Sequence, residues 1–140
     1  SSAGNGIVSG KYNVVQHAGY FTPAGAAEVG YQYGTVTFNG SGGVSAGSLL
    51  GKRASLDVDA AKTGNASALS VPEASPVTIS GGSYSVASSG TMTVTLNSAG
   101  RTIVGSGAVS ADGEVIALAI RVTEGGNDTG RGLLFLVRQP

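Results

Sequence analysis

Residues 82–123 read GSYSVASSGTMTVTLNSAGRTIVGSGAVSADGEVIALAIRVT, and this stretch decides the fold. From Thr91 to Asn97 every second residue is apolar: Met92, Val94 and Leu96 alternate with Thr91, Thr93, Thr95 and Asn97. A period of two gives a strand with one buried face and one wet face. Glu114 to Thr123 repeats the pattern through Ile116, Leu118, Ile120 and Val122. Ser88-Ser89-Gly90, Ser98-Ala99-Gly100 and Ala111-Asp112-Gly113 separate the runs. Each ends in the glycine whose positive φ a short hairpin turn needs. Four strands joined by three tight turns follow.

Outward from this meander the chain keeps the same grammar. Ile7 to Gln16 is a first strand, with Tyr12 and Val14 on one face. His17 to Gly30, with Pro23 and an Ala/Gly tract, reads as a loop. Tyr31 to Phe38 is a strand rich in aromatic and β-branched residues, and Asn39 to Gly43 is a hairpin turn. Val44 to Leu50 returns, and Ala54 to Val58 either continues it or forms its own strand. Asp59 to Pro76 is irregular, a loop with room for a helical turn between Ala60 and Leu69. Val77 to Ile79 leads back into the meander. Gly132 to Val137 is a short, unbroken apolar run, which reads as a strand covered on both faces.

Eight or nine short strands without a strong helix make the chain all-β. Nearest-neighbour hairpins favour an antiparallel meander that closes into a β-barrel when the last strand pairs with the first. A two-sheet β-sandwich is the alternative. The 140 residues form one domain, 7–140, behind a flexible segment, 1–6. An internal repeat divides it. Gly10-Lys11-Tyr12-Asn13-Val14 parallels Gly82-Ser83-Tyr84-Ser85-Val86, and Gly34-Thr35-Val36-Thr37-Phe38 parallels Gly90-Thr91-Met92-Thr93-Val94. Gly47-Ser48 and Gly105-Ser106 follow in order, so residues 7–58 and 77–138 read as homologous halves.

Gly10 to Val14, Gly34 to Phe38, the turn Asn39 to Gly43, and Gly107 to Gly113 together resemble lipocalin-like, calycin-type β-barrel domains of exported bacterial proteins. The resemblance covers most of the chain and is carried by turn and strand grammar. It implies a barrel. Lipocalins proper usually carry Gly-x-Trp near the first strand, and here Tyr12 stands in that place.

Composition bounds the function. Eight basic and eight acidic residues cancel, and charged residues are 11% of the chain. A basic patch that neutralises phosphates is the footprint of nucleic-acid binding, and this balance disfavours it. There is no cysteine, which removes disulfides, Cys-zinc sites and thiol catalysis. No apolar run approaches the ~20 residues of a membrane helix. Twenty-four glycines, many Ser and Thr, and a start at Ser1 without Met suit a secreted or cell-surface chain whose signal peptide has been removed.

Chemistry is sparse. His17 is the single histidine, and no Gly-x-Ser-x-Gly elbow accompanies it. Asp57 and Asp59 form a carboxylate pair without the Asp-x-Asp-x-Asp-Gly pattern of a calcium loop, and they read as a solvated strand end. The glycine runs precede no helix that could hold a phosphate. Arg121, Arg131 and Arg138 read as salt-bridging surface residues. No catalytic residue, metal ligand or cofactor site is expected.

The expectation is therefore a non-enzymatic extracellular structural or interaction protein. It would self-assemble into a surface layer or fibre through terminal strands, with Ile7 to Val15 and Leu133 to Val137 as the sharing segments. Tyr20, Phe21, Tyr31, Tyr33, Leu133 and Phe135 are the candidate binding or assembly surface. The alternative is a lipocalin-like barrel holding a small apolar ligand, with Ala46, Gly47, Gly105, Gly107, Ala117 and Ala119 leaving room inside.

Overall fold

The computed structural model describes residues 4–21, 26–57, 59, 62–64, 69–70 and 76–140, the side chains of 21, 26, 52, 53, 69 and 70 excepted. The strands are β1 (Ser9–Phe21), β2 (Ala26–Asn39), β3 (Gly43–Asp57), β4 (Leu69–Ser70), β5 (Pro76–Val86), β6 (Thr91–Ser98), β7 (Arg101–Val109), β8 (Val115–Glu124) and β9 (Asn127–Arg138). Every pairing is antiparallel. Each of β5 to β9 pairs with the next, β9 pairs with β1, β1 with β2, β2 with β3 and β3 with β5. Eight strands thus close a ring, and β4 adds a two-residue pairing to β3 beyond the reach of β5. The architecture is the barrel that the strand grammar and the resemblance implied, not the sandwich.

Closure changes one expectation. β1 has β2 on one edge and β9 on the other. The terminal strands spend their edges on each other, so neither offers a free edge for strand sharing. A second correction concerns His17 to Gly30. Its described residues are strand: β1 runs on to Phe21 and β2 begins at Ala26, in the register Ala18↔Gly30, Gly19↔Val29 and Tyr20↔Glu28, and residues 22–25 lie outside the described residues. Ala and Gly are weak strand formers, but a continuous ladder on both sides overrides that weak preference. Within Asp59 to Pro76, residues 60–61, 65–68 and 71–75 lie outside the described residues; Asp59 and Lys62 are helical and Thr63 and Gly64 form a turn, at the start of the stretch where the sequence left room for a helical turn.

Alternation sorts the side chains as the sequence requires. On β1, Tyr12, Val14, Gln16 and Ala18 are buried while Lys11, Asn13, Val15 and His17 are exposed. Met92, Val94 and Leu96 on β6 and Ile116, Leu118, Ile120 and Val122 on β8 all enter one core. The small inner residues leave no room there. A Cβ on Gly47 would fall 2.9 Å from a Val36 methyl, and one on Gly105 would meet side-chain carbons of Val94, Ile120 and Leu118 at 3.1–3.2 Å. Ala46, Ala117 and Ala119 point outward.

One barrel end is plugged. Gly4 to Gly6, from the segment expected to be flexible, and Ile7, expected to open the first strand, cap it with a 3-10 turn, Asn5–Ile7. The Asn5 Oδ1 accepts the Val86 N–H at 2.8 Å, and the Tyr84 hydroxyl donates to the Val8 carbonyl at 2.6 Å. Above the turn, Phe38 makes edge-to-face contacts with Tyr12 and Tyr84, with centroids 5.3 and 5.0 Å away. Tyr12 and Tyr84 are the matched tyrosines of the two parallel motifs. The three-strand units β1–β3 and β5–β7 carry those motifs, with β8 and β9 added after the second.

Candidate functional site

The opposite end, where β1 runs out at Phe21, is built differently. Inner positions of β1, β2 and β9 there follow from the register: Gln16 sits opposite Gln32 and Leu134, Ala18 opposite Gly30 and Gly132, and Tyr20 opposite Glu28 and Gly130. Moving from core to rim, the wall passes from apolar to an amide pair, then to Ala and Gly, then to an aromatic ring. Gln16 is 1% exposed. Its Nε2 donates to the Tyr20 hydroxyl at 3.0 Å and to Gln32 Oε1 at 3.2 Å. Its Oε1 is buried and has no hydrogen-bond partner among the described residues. A buried carbonyl without a donor costs about 1–3 kcal/mol, so this atom favours whatever brings it an N–H or O–H.

Tyr20 forms the roof over that amide. Its ring lies against the backbone of Gly130, where a Cβ would fall 2.9 Å from Cε1. The Arg101 guanidinium carbon stands 5.9 Å from the ring centroid, and Arg101 pairs with Glu124 at 3.5 Å. Beside the ring a pocket of about 590 Å³ opens between Ala27–Val29 of β2 and Asp128–Arg131 of β9. That volume suits a small organic ligand. Arg131 and Asp128 form an ion pair on its rim, and the guanidinium holds the Asp128 carboxyl below the usual carboxylate range.

The sequence candidates divide between two surfaces. Tyr20 is at the inner mouth. Tyr31 and Tyr33, expected to flank the same loop, lie instead on the outer wall, with their rings stacked at 6.5 Å. Leu133 and Phe135 join them there, because β1 lies between β2 and β9: His17 faces both Tyr31 and Leu133, and Val15 faces both Tyr33 and Phe135. The Phe21 side chain lies outside the described residues. The unbroken apolar run of β9 is covered on one face only. Leu134 and Leu136 are buried, whereas Leu133, Phe135 and Val137 remain about half exposed.

Gln16 and Gln32 escaped the sequence reading, which ended the first strand at Gln16. The parity of Tyr12, Val14, Gln16, Ala18 and Tyr20 was the signal that could have found the first of them. His17 is exposed, with cross-strand neighbours that are neither carboxylate nor serine. Asp57 and Asp59 are both exposed, and Asp59 pairs with Lys62 at 3.7 Å. Among the described residues no three His, Asp or Glu side chains cluster as metal ligands, and no helix is long and apolar enough to cross a membrane.

No family model matches the chain, and no curated protein matches it. Among solved structures, an S-type phycobiliprotein lyase from Guillardia theta is similar over 97% of this chain and 90% of that one, at 9% identity and a TM-score of 0.42. A likeness at that score carries no argument, and the barrel rests on its own strand pairing.

Proposed function

We propose that the chain is a non-enzymatic binding barrel that takes a small, largely apolar ligand at the end where Tyr20 stands. The observation that supports this most is the buried, unpartnered Gln16 Oε1 beneath Tyr20. The adjoining pocket supplies volume and an aromatic floor, and the plugged end and packed middle leave the mouth as the place for a ligand. A flat apolar body would lie on Tyr20, with one N–H or O–H directed to the inner amide. A secreted or cell-surface setting belongs to the same proposal and is supported by composition alone: few charges, no cysteine and abundant Gly, Ser and Thr.

Two measurements test it. Native mass spectrometry of the chain isolated from its source should find a bound small molecule. Titration with anilinonaphthalene sulfonate should saturate at one site, and Thr129→Trp, which fills the pocket, should weaken that site about tenfold or more. Equal binding by wild type and Thr129→Trp, both folded, would overturn the reading. Phe135→Asp, on the outer wall, controls for dye held elsewhere.

A further inference from the structure

We propose that the outer face of β8, β9, β1 and β2 is a dimer interface and that its occupant is the same face of a second copy of this chain. The strand register assembles the face. One row runs Ala117, Phe135, Val15, Tyr33 and Leu50; a second runs Leu133, His17 and Tyr31; Val115 and Val137 pair below them. Val15, Tyr31, Tyr33, Leu133, Phe135 and Val137 are each 46–53% exposed. Together with Val29, Leu50 and Val115 they present on the order of 800 Å², the area one partner gives to a standard interface. Monomeric soluble proteins rarely leave a contiguous apolar patch of that size uncovered.

Three further observations choose the second copy as occupant. β9 has the sequence of a strand covered on both faces, and a single chain covers only one of them. Across β8, β9, β1 and β2 the rows contain no Asp, Glu, Lys or Arg; Lys52 of β3 is the register partner of Tyr31 at the edge of the second row, Lys11 stands beyond one end and Arg121 and Arg131 beyond the other. Charge is confined to the borders of the face, so an uncharged apolar wall fits its middle. The wall of β5, β6 and β7 is lined outside by Ser83, Ser85, Thr91, Thr93, Thr95 and Ser106, so it does not offer such a match. A two-fold axis through the β1–β9 seam sets the apolar face against itself, which is the self-complementary geometry of the commonest oligomers. Contact is face to face, so it needs no free strand edge; Val29 alone belongs both to this face and to the wall of the pocket.

Sedimentation velocity over a range of concentrations tests this. Wild type should sediment as a dimer. Val15→Asp and Phe135→Asp should each raise the dimer dissociation constant roughly a hundredfold or more, with far-ultraviolet dichroism unchanged. Thr93→Asp, on the opposite wall, should leave it unchanged. Should either aspartate variant fail to fold, Leu133→Cys in this cysteine-free chain provides a second readout: a short bismaleimide should link two copies through one site. A wild type that stays monomeric at every concentration overturns the proposal. So does a folded Phe135→Asp that remains dimeric, or a monomer that floats with phosphatidylcholine vesicles, which would make a lipid surface the occupant.

Discussion

The Arg138 guanidinium carbon stands 5.5 Å from the centroid of the Tyr12 ring, joining the end of the last strand to the start of the first. Arg138 donates to the Tyr12 hydroxyl from Nη2 at 3.0 Å and from Nε at 3.2 Å, to Glu114 Oε1 at 2.7 Å, and to the Ile7 carbonyl. The Tyr12 hydroxyl in turn donates to the Gly113 carbonyl at 2.6 Å. One arginine therefore ties together the 3-10 turn, the β7–β8 turn and the β1–β9 seam. Tyr12 is the residue that stands where the resemblance has tryptophan, and its role here is to hold the plug.

Arg138→Leu should lower the free energy of unfolding by about 2 kcal/mol, since charge-assisted hydrogen bonds at a mostly buried site are lost. Arg138→Lys should recover only part, because an ammonium cannot fork to a ring hydroxyl, a carboxylate and a carbonyl together. Urea unfolding checks both. A double-mutant cycle with Tyr12→Phe should show coupling between the two sites, whereas additive effects would mean that the contact is incidental.

The same pair predicts alkaline behaviour. Burial pushes the Tyr12 phenol above its ordinary value of about 10, and the hydrogen bond from Arg138 pulls it back only in part. A group whose folded value is raised gives its full stability below the unfolded value and loses it as pH rises through the window up to the folded value. The urea midpoint should therefore hold steady below about pH 10 and fall above it. In Tyr12→Phe the fall should be shallower. Identical slopes for the two proteins would refute the assignment.

Glycines at the seam are predicted to be unequal. A Cβ on Gly132 would run into the His17 carbonyl and stand 2.7 Å from the Ala18 Cα, both fixed in the neighbouring strand. A Cβ on Gly105 would meet only side-chain carbons at 3.1–3.2 Å, which can yield by a few tenths of an ångström. Gly132→Ala should cost about 3 kcal/mol or more, and Gly105→Ala under about 1.5 kcal/mol. Thermal or urea unfolding of the two variants gives the comparison directly.

Much of the barrel was legible because alternation is a local signal. Met92, Val94 and Leu96 could be placed inside from sequence alone, and so could the even positions of β8. The closing pair was legible too, since an apolar last strand needed a partner. The mouth was not. Ala18, Gly19 and Gly30 carry no strand preference, and their strand comes from a ladder supplied by residues far along the chain. Room inside was misread for a related reason: Val36 and Ile79 are the cross-strand partners of Gly47 and crowd it from both sides, and that register is not written in any local pattern. Of the candidate residues, Tyr31, Tyr33, Leu133 and Phe135 were chosen as apolar side chains near irregular or terminal segments. What joins them is a register between β1, β2 and β9 that only the closed ring fixes.

Gln16 separates a binding role from a structural one. Replacing it with the similarly shaped, unbranched Met removes a buried oxygen that has no donor. The groups that lose its Nε2, the Tyr20 hydroxyl and Gln32 Oε1, belong to half-buried side chains that water can reach. Gln16→Met should therefore stabilise the ligand-free chain by about 1 kcal/mol, as removal of an unsatisfied buried polar atom does. Phe38→Ala, a true core deletion, should instead cost about 3–5 kcal/mol. If the inner amide serves a ligand, Gln16→Met should also abolish co-purification of any bound small molecule while raising the melting temperature. A Gln16→Met variant that melts lower than wild type would show the amide to be part of the packing, and the mouth would lose its best-supported contact.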